Sequence, residues 1–297
     1  MRVTEGGRLA SALHDLRTSS REAARLEEIV SSGKKLVRPS DDPAGAGRAV
    51  RLGAELRSIE AAVKNGQLAQ GELDATDDAL QQLSSLLART RELATQAANG
   101  VLSLADRTAM QAEVEGMLGQ ALTLANRAFD GRTLFGGTAT DRPAYRFDVA
   151  GGVTTVVYQG DDVARETPVG DHRIVLGRPG PGPFGGPAGA LDALVAFRDA
   201  LGSPDPGGDA RAALTRLDGA LDATTIALGD LGARRSELSA AQDALGARSI
   251  LVEQLRSTIE DADLSTAIVD LSAKQAAWER GMAVIARVLK TSIFDAI

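Results

Sequence analysis

Apolar side chains recur every seven residues at both ends of the chain and lose that period in the middle. Near the start, Leu9, Leu16, Ala23 and Val30 form one column, with Ala12 and Leu26 on the same stripe. Near the end, Leu264, Leu271, Trp278 and Ile285 form another, accompanied by Ile268, Met282 and Leu289. A seven-residue repeat lines such side chains along a narrow seam that a second helix can cover. The spacing therefore predicts terminal helices that pack lengthwise, both in one bundle, with a different kind of structure held between them.

The first helix is expected from about Glu5 to Gly33. Ser32-Gly33 ends it, and Arg38-Pro39-Ser40-Asp41-Asp42-Pro43 cannot continue it. Pro43 disfavours helical backbone at Asp42, while Ser40, Asp41 and Asp42 offer capping oxygens to a following helix. That second helix runs from Ala44 into the nineties, carries Leu52, Leu56, Ile59, Leu73, Leu80, Leu87 and Leu93, and stops at Ala98-Asn99-Gly100. A third, from about Ser103 to Phe129, opens on Ser103 and Asp106, a short version of the capping box.

The texture changes at Asp130-Gly131. Between Phe135 and Gly189 lie six of the ten prolines and five of the nine aromatic residues. Tyr145 to Val149 and Val153 to Gln159 flank Gly151-Gly152 as a hairpin does, and Arg173 to Leu176 reads as another short strand. Gly177 to Gly189 is too rich in Pro and Gly for either regular structure and reads as an ordered loop. Helix returns at Ala190 to Leu201 and again from Asp209 to Ile259. There, Leu214, Leu221 and Leu228 mark one heptad column, and Leu217, Leu231, Leu238, Leu245, Val252 and Ile259 its neighbour. The expected fold class is mainly α: a long antiparallel helical bundle or coiled coil formed by both chain ends, with a small β-rich inserted domain. Residues 1–43 and 265–297 form a terminal coiled-coil assembly domain in this reading. Residues 44–138 and 190–264 form the bundle, and 139–189 the insert.

Composition sharpens this picture. The chain has 297 residues, 43% of them hydrophobic, but no Phe, Trp or Tyr precedes residue 129, so the helical core must be built from Leu, Ala, Val and Ile. That suits close helix packing. A net charge of −7 with interspersed Lys and Arg leaves no basic stripe to neutralise phosphates, which argues against nucleic acid as a partner. Cysteine is absent, so neither a disulfide framework nor thiol chemistry is available. Residues 1–10 lack the apolar run of a secretory signal, and nowhere do eighteen apolar residues stand together, so no membrane span is expected.

Candidate chemistry is thin. His14 and His172 are the only histidines, without a His-Glu-x-x-His pair or a thiol ligand, so no zinc site and no cofactor is expected. The glycines of the 177–189 loop are spaced like those of a phosphate loop, yet no Lys-Ser or Lys-Thr follows them. Glu260, Asp261 and Asp263 read first as the polar break between two helices, with Asp263 or Ser265 capping the last one, and only second as a metal cluster. Asp41-Asp42 reads as a turn and cap.

These residues also carry a resemblance. Ser31-Ser32-Gly33-Lys34-Lys35 followed by Arg38-Pro39-Ser40-Asp41-Asp42-Pro43-Ala44-Gly45, then Arg91 to Gly100 and Ile259-Glu260-Asp261-Ala262-Asp263, resemble stretches of bacterial flagellins and their junction proteins, in order on both arms. Met1-Arg2-Val3-Thr4, Leu134-Phe135-Gly136-Gly137-Thr138 and the closing Arg287 to Asp295 look closer to the branch that joins hook to filament. The resemblance implies a non-enzymatic structural subunit, exported without a cleaved signal through the type III apparatus. Its partners would be flagellin, another hook-associated protein, an export chaperone and further copies of itself in a ring or helical layer outside the cell. Leu9, Leu16, Leu26, Leu264, Ile268, Leu271, Trp278, Ile285 and Leu289 would make the assembly interface. Arg38, Pro39, Asp41, Asp42, Pro43, Glu260, Asp261 and Asp263 would form its hinge. A filament-forming flagellin is the alternative reading, and a helical signalling or adaptor module a distant third.

Overall fold

The computed structural model describes residues 5–100, 102–177 and 180–294. The chain divides into two compact units, residues 1–58 with 248–297, and residues 59–247. Helices α2 (Pro43–Asn99) and α5 (Pro206–Glu260) contribute residues to each, while α1 (Glu5–Ser32) and α6 (Leu264–Phe294) belong to the first.

In the unit of residues 59–247 the core is a seam between α2 and α5. On α5, Ala210, Ala213, Leu217, Ala220, Thr224, Ala227, Leu231, Leu238, Ala241 and Leu245 are buried, stepping mostly by three and four residues. Arg91 meets Asp218 at 2.6 Å, Arg235 meets Asp77 at 2.7 Å, and Arg211 donates to the Ala98 carbonyl at 3.0 Å, which sets α2 and α5 antiparallel. Of the two columns legible on α5, the one through Leu217 is buried as far as Val252, whereas Leu214, Leu221 and Leu228 are only half-covered.

Helix α3 (Leu104–Ala125) opens with the expected capping box, both halves of which are made. It ends four residues before Phe129. Asn126 accepts the Tyr145 backbone N–H at 2.8 Å and donates to the Tyr145 carbonyl at 2.9 Å, which turns the chain. Strands β1 (Ala128–Phe129) and β2 (Arg132–Thr133) follow, joined at Asp130 and Gly131, both at positive φ as a tight hairpin turn requires.

The β-rich region is a set of separate antiparallel pairs rather than one sheet. Strands β3 (Tyr145–Ala150) and β4 (Val153–Tyr158) turn at Gly151-Gly152, as the pattern predicts. Strand β6 (His172–Gly177) pairs with β5 (Arg165–Val169), which the sequence reading does not contain because Thr-Pro at 167–168 resembles a break. These pairs lie in the same compact unit as the helices around them. Tyr145, Val169, Ile174 and Phe184 are fully buried, and the Phe135 and Phe184 rings stand 4.6 Å apart. The 180–189 loop wraps Phe184 and is tied to Tyr145, whose hydroxyl donates to the Pro181 carbonyl. Helix α4 (Ala190–Leu201) packs on α3 with Leu191, Leu194, Phe197 and Leu201 buried.

Candidate assembly interface

The unit formed by the two chain ends holds most of the residues singled out from the heptads. Helices α1 and α6 pack antiparallel: Lys274 pairs with Glu22 at 2.5 Å, Gln275 donates to Glu27 at 3.4 Å, and Leu16 lies over Gly281. Each helix is therefore the other's partner within one copy. Leu16, Leu26 and Leu271 are half-buried in this pairing, and Ile285 is 8% exposed. Leu9 and Leu289 lie on α1 and α6, but their side chains fall outside the described residues.

The pairing covers only part of the α6 column. Leu264 is 44% exposed, Ile268 50%, Trp278 39% and Met282 45%. Seven residues of an α-helix fall about 20° short of two full turns, so a strict heptad column drifts around the helix. Ile285 consequently faces α1 while Leu264 and Trp278 stand beside the seam. The result is an apolar stripe in water on a helix whose other side is occupied.

The polar motifs meet at a joint where α1 hands over to α2 and α5 to α6. Gly33, at φ +72°, closes α1 by donating to the Ile29 carbonyl at 2.8 Å. Lys35 N–H then donates to the Glu260 carbonyl at 2.8 Å, and Ala262 N–H to the Gly33 carbonyl at 3.0 Å, one rung of antiparallel pairing between Lys34 and Asp261. Side chains reinforce it: Lys34 Nζ meets Glu260 at 2.8 Å, and Lys35 Nζ donates to the Thr258 carbonyl at 2.6 Å.

The two capping readings at the joint are visible in its geometry. Asp42 Oδ1 accepts from the Gly45 N–H at 2.9 Å, capping α2, with Pro43 as its first residue. Asp263 accepts from the N–H groups of Ser265 and Thr266 at 3.0 and 3.3 Å, and from the Thr266 hydroxyl at 3.0 Å, which makes Asp263 the cap of α6. Those bonds, the Thr266 hydroxyl first, hold its carboxyl below the usual carboxylate range. Asp41 accepts from the Arg38 N–H at 3.1 Å and meets Arg25 at 3.4 Å, and Arg38 meets Glu28 at 3.1 Å. Among the described residues, no three His, Cys, Asp or Glu side chains are placed to hold a metal ion.

Arg25, Glu28, Lys34 and Lys35 brace this joint but were not among the candidates. As charges on an exposed helix and its flank they carry no periodic signal. His14 and His172 are exposed, on α1 and β6. No described helix is long and apolar enough to cross a membrane.

Comparison with known proteins places these elements. Residues 8–140 match the model of the bacterial flagellin N-terminal helical region, and residues 214–295 that of the bacterial flagellin C-terminal helical region. The chain is 28% identical to flagellar hook-associated protein 3 of Salmonella typhimurium, with 99% of each chain covered. It is 27% identical to the flagellar filament 30.7 kDa core protein of Treponema maltophilum, covering 88% of this chain and 86% of that one. Among solved structures it is similar to a putative flagellar hook-associated protein from Vibrio parahaemolyticus, with TM-score 0.67 and 22% identity over 74% of this chain and all of that one. A hook-associated protein-3 from Legionella pneumophila follows at TM-score 0.62 and 15% identity, over 70% and 98% of the respective chains. With both helical regions present and in order on its two arms, the chain belongs to the bacterial flagellin family.

Proposed function

We propose that this protein is a structural, non-enzymatic subunit of the bacterial flagellum that joins the hook, through another hook-associated protein, to the flagellin filament. The observation that carries this reading is the uncovered stripe of Leu264, Ile268, Trp278 and Met282 on a helix already paired with α1. Contiguous exposed apolar surface marks an interaction site. Each of these side chains is already about half covered, so burial by a neighbouring subunit adds about half of the roughly 1.5 to 3 kcal/mol that full burial contributes. The terminal residues 1–43 and 265–297 act as the assembly domain, and the braced joint around Arg38 to Pro43 and Glu260 to Asp263 is its hinge.

End-to-end similarity to the Salmonella typhimurium hook-associated protein, 99% of both chains, supports a joint rather than a filament. The filament reading draws on the Treponema maltophilum core protein. Dose separates them: a joint needs a few copies per appendage, whereas a flagellin makes up most of its mass. Export proceeds without a cleaved signal and with a chaperone in this reading, and the working site is outside the cell. Cells lacking the protein should bear hooks without filaments and release flagellin into the medium, and labelled protein should sit in one band at the hook end. Label along the whole filament would overturn the joint and favour the flagellin.

A further inference from the structure

Among the large apolar side chains exposed on helices away from the terminal stripe are Val50 on α2 at 69% and Ile226 on α5 at 63%. Val50 lines an open groove of about 390 Å³ together with Ala46, Gly53 and Arg57, against Leu36 and Pro39. Lys34, Arg38 and Arg256 stand on the same groove, and Glu260, its one acid, is held by Lys34. The groove is thus apolar inside and cationic at its rim, and Arg57 has no ion-pair partner in the described residues.

The outer face of α5 has the complementary pattern. Ala46, Val50, Gly53 and Arg57 step by four, three and four residues along α2; Asp222, Ile226, Gly229 and Ala233 take the same steps along α5. Set antiparallel, Arg57 falls on Asp222, Gly53 on Ile226, Val50 on Gly229 and Ala46 on Ala233. Each large side chain meets a glycine and the cation meets the anion. Asp222 is exposed and likewise without an ion-pair partner in the described residues.

Nothing within one copy accounts for the two glycines, although glycine inside a helix is unfavourable relative to alanine. A Cβ added at Gly229 meets no atom within 4 Å, and one at Gly53 meets only Arg57 Nη1 at 3.8 Å. Gly71 on α2 differs, since a Cβ there would come within 2.8 Å of the Phe129 ring.

We propose that the groove beside Val50 in one copy receives the Ile226 face of α5 from a second copy, with Arg57 paired to Asp222 across the interface. The two faces are unlike, so the association is head-to-tail, the kind that generates rings or open helices rather than closed pairs. This deepens the assembly reading above and rests on it.

The chain has no cysteine, so introduced thiols report cleanly. Cells would co-express two differently tagged versions, Val50→Cys and Gly229→Cys, and their hooks would be isolated and oxidised. A disulfide between the two tags is expected, and none when Thr215→Cys, about 20 Å along the stripe at 1.5 Å per residue, replaces Gly229→Cys. In parallel, Arg57→Glu should cut incorporation at least tenfold and Asp222→Arg added to it should restore it, with unchanged helicity by circular dichroism because both side chains are exposed. Layers that form without the 50–229 link, or single and double charge variants that incorporate alike, would overturn this surface while leaving the joint intact. Absence of any layer of wild-type protein on hooks would overturn the assembly reading and this surface together.

Discussion

Glu72 on α2 and Arg165 on β5 form an ion pair whose side chains are only 10% and 14% exposed. Arg165 Nε is buried without a partner, so the pair is incompletely compensated. Removing one member leaves an uncompensated buried charge, which typically costs about 3 to 5 kcal/mol, whereas replacing both by apolar groups is often neutral or stabilising. Glu72→Ala should therefore lower stability by about 3 kcal/mol in urea unfolding, and the double variant Glu72→Met with Arg165→Met should recover most of it. Asp263 gives a pH-dependent case. Its carboxyl lies below the ordinary 3.8 in the folded chain, so its contribution to α6 is complete above that value and fades as the pH falls through the lower folded value. Acid should loosen the start of α6, seen as faster hydrogen exchange at Ser265 and Thr266. Asp263→Asn, which still caps but does not titrate there, should remove that pH dependence.

Helix α6 carries one apolar face buried on α1 and an adjacent one left exposed, and substitution can separate them. Ile285 is buried against α1, so Ile285→Glu places a charge in a dehydrated seam and should melt the α1–α6 pair, with lost helicity in circular dichroism. Even Ile285→Ala should cost on the order of 2 kcal/mol or more. Trp278 is 39% exposed and lies beside the seam rather than in it, so Trp278→Glu should leave the isolated protein nearly as helical as before yet prevent stable incorporation. Cells relying on it should carry hooks without filaments. Normal filaments at normal expression would show that the stripe is not part of the joint, and an unfolded monomer would show that Trp278 belongs to the core.

Over the whole molecule, the β-rich segment is bound into the unit of residues 59–247. Tyr145, Val169, Ile174 and Phe184 are fully buried, and Arg198 on α4 donates to Thr154 on β4 at 3.0 Å. Four such side chains, at roughly 1.5 to 3 kcal/mol each, amount to about 6 to 12 kcal/mol. That is the size of the entire stability of a typical domain. Deleting residues 141–187 should thus abolish the cooperative unfolding transition of that unit, rather than trim a dispensable appendage. A deletion protein with an unchanged melting transition would place the segment outside the core.

Local signals were enough to read the helices, the Ser103 capping box, the turn at Gly151-Gly152 and the caps near Asp42 and Asp263, because capping and turn chemistry act over three or four residues. The pairing of the chain ends was also legible, since heptads on both arms demand a cover. Other features came only from contacts distant in sequence. Asn126 ends α3 because Tyr145, nineteen residues on, bonds both ends of its amide. Strand β5 forms despite Pro168 because β6 supplies its ladder and Glu72 holds Arg165. Of two equally apolar columns on α5, the one through Leu217 became the core because it faces α2. The α6 column is divided between α1 and solvent because its seven-residue period drifts against the helix, and which side chains are left uncovered depends on where the partner helix lies. Periodicity along a chain determines that a face must be covered; only the tertiary structure decides which part of it a single copy can cover itself.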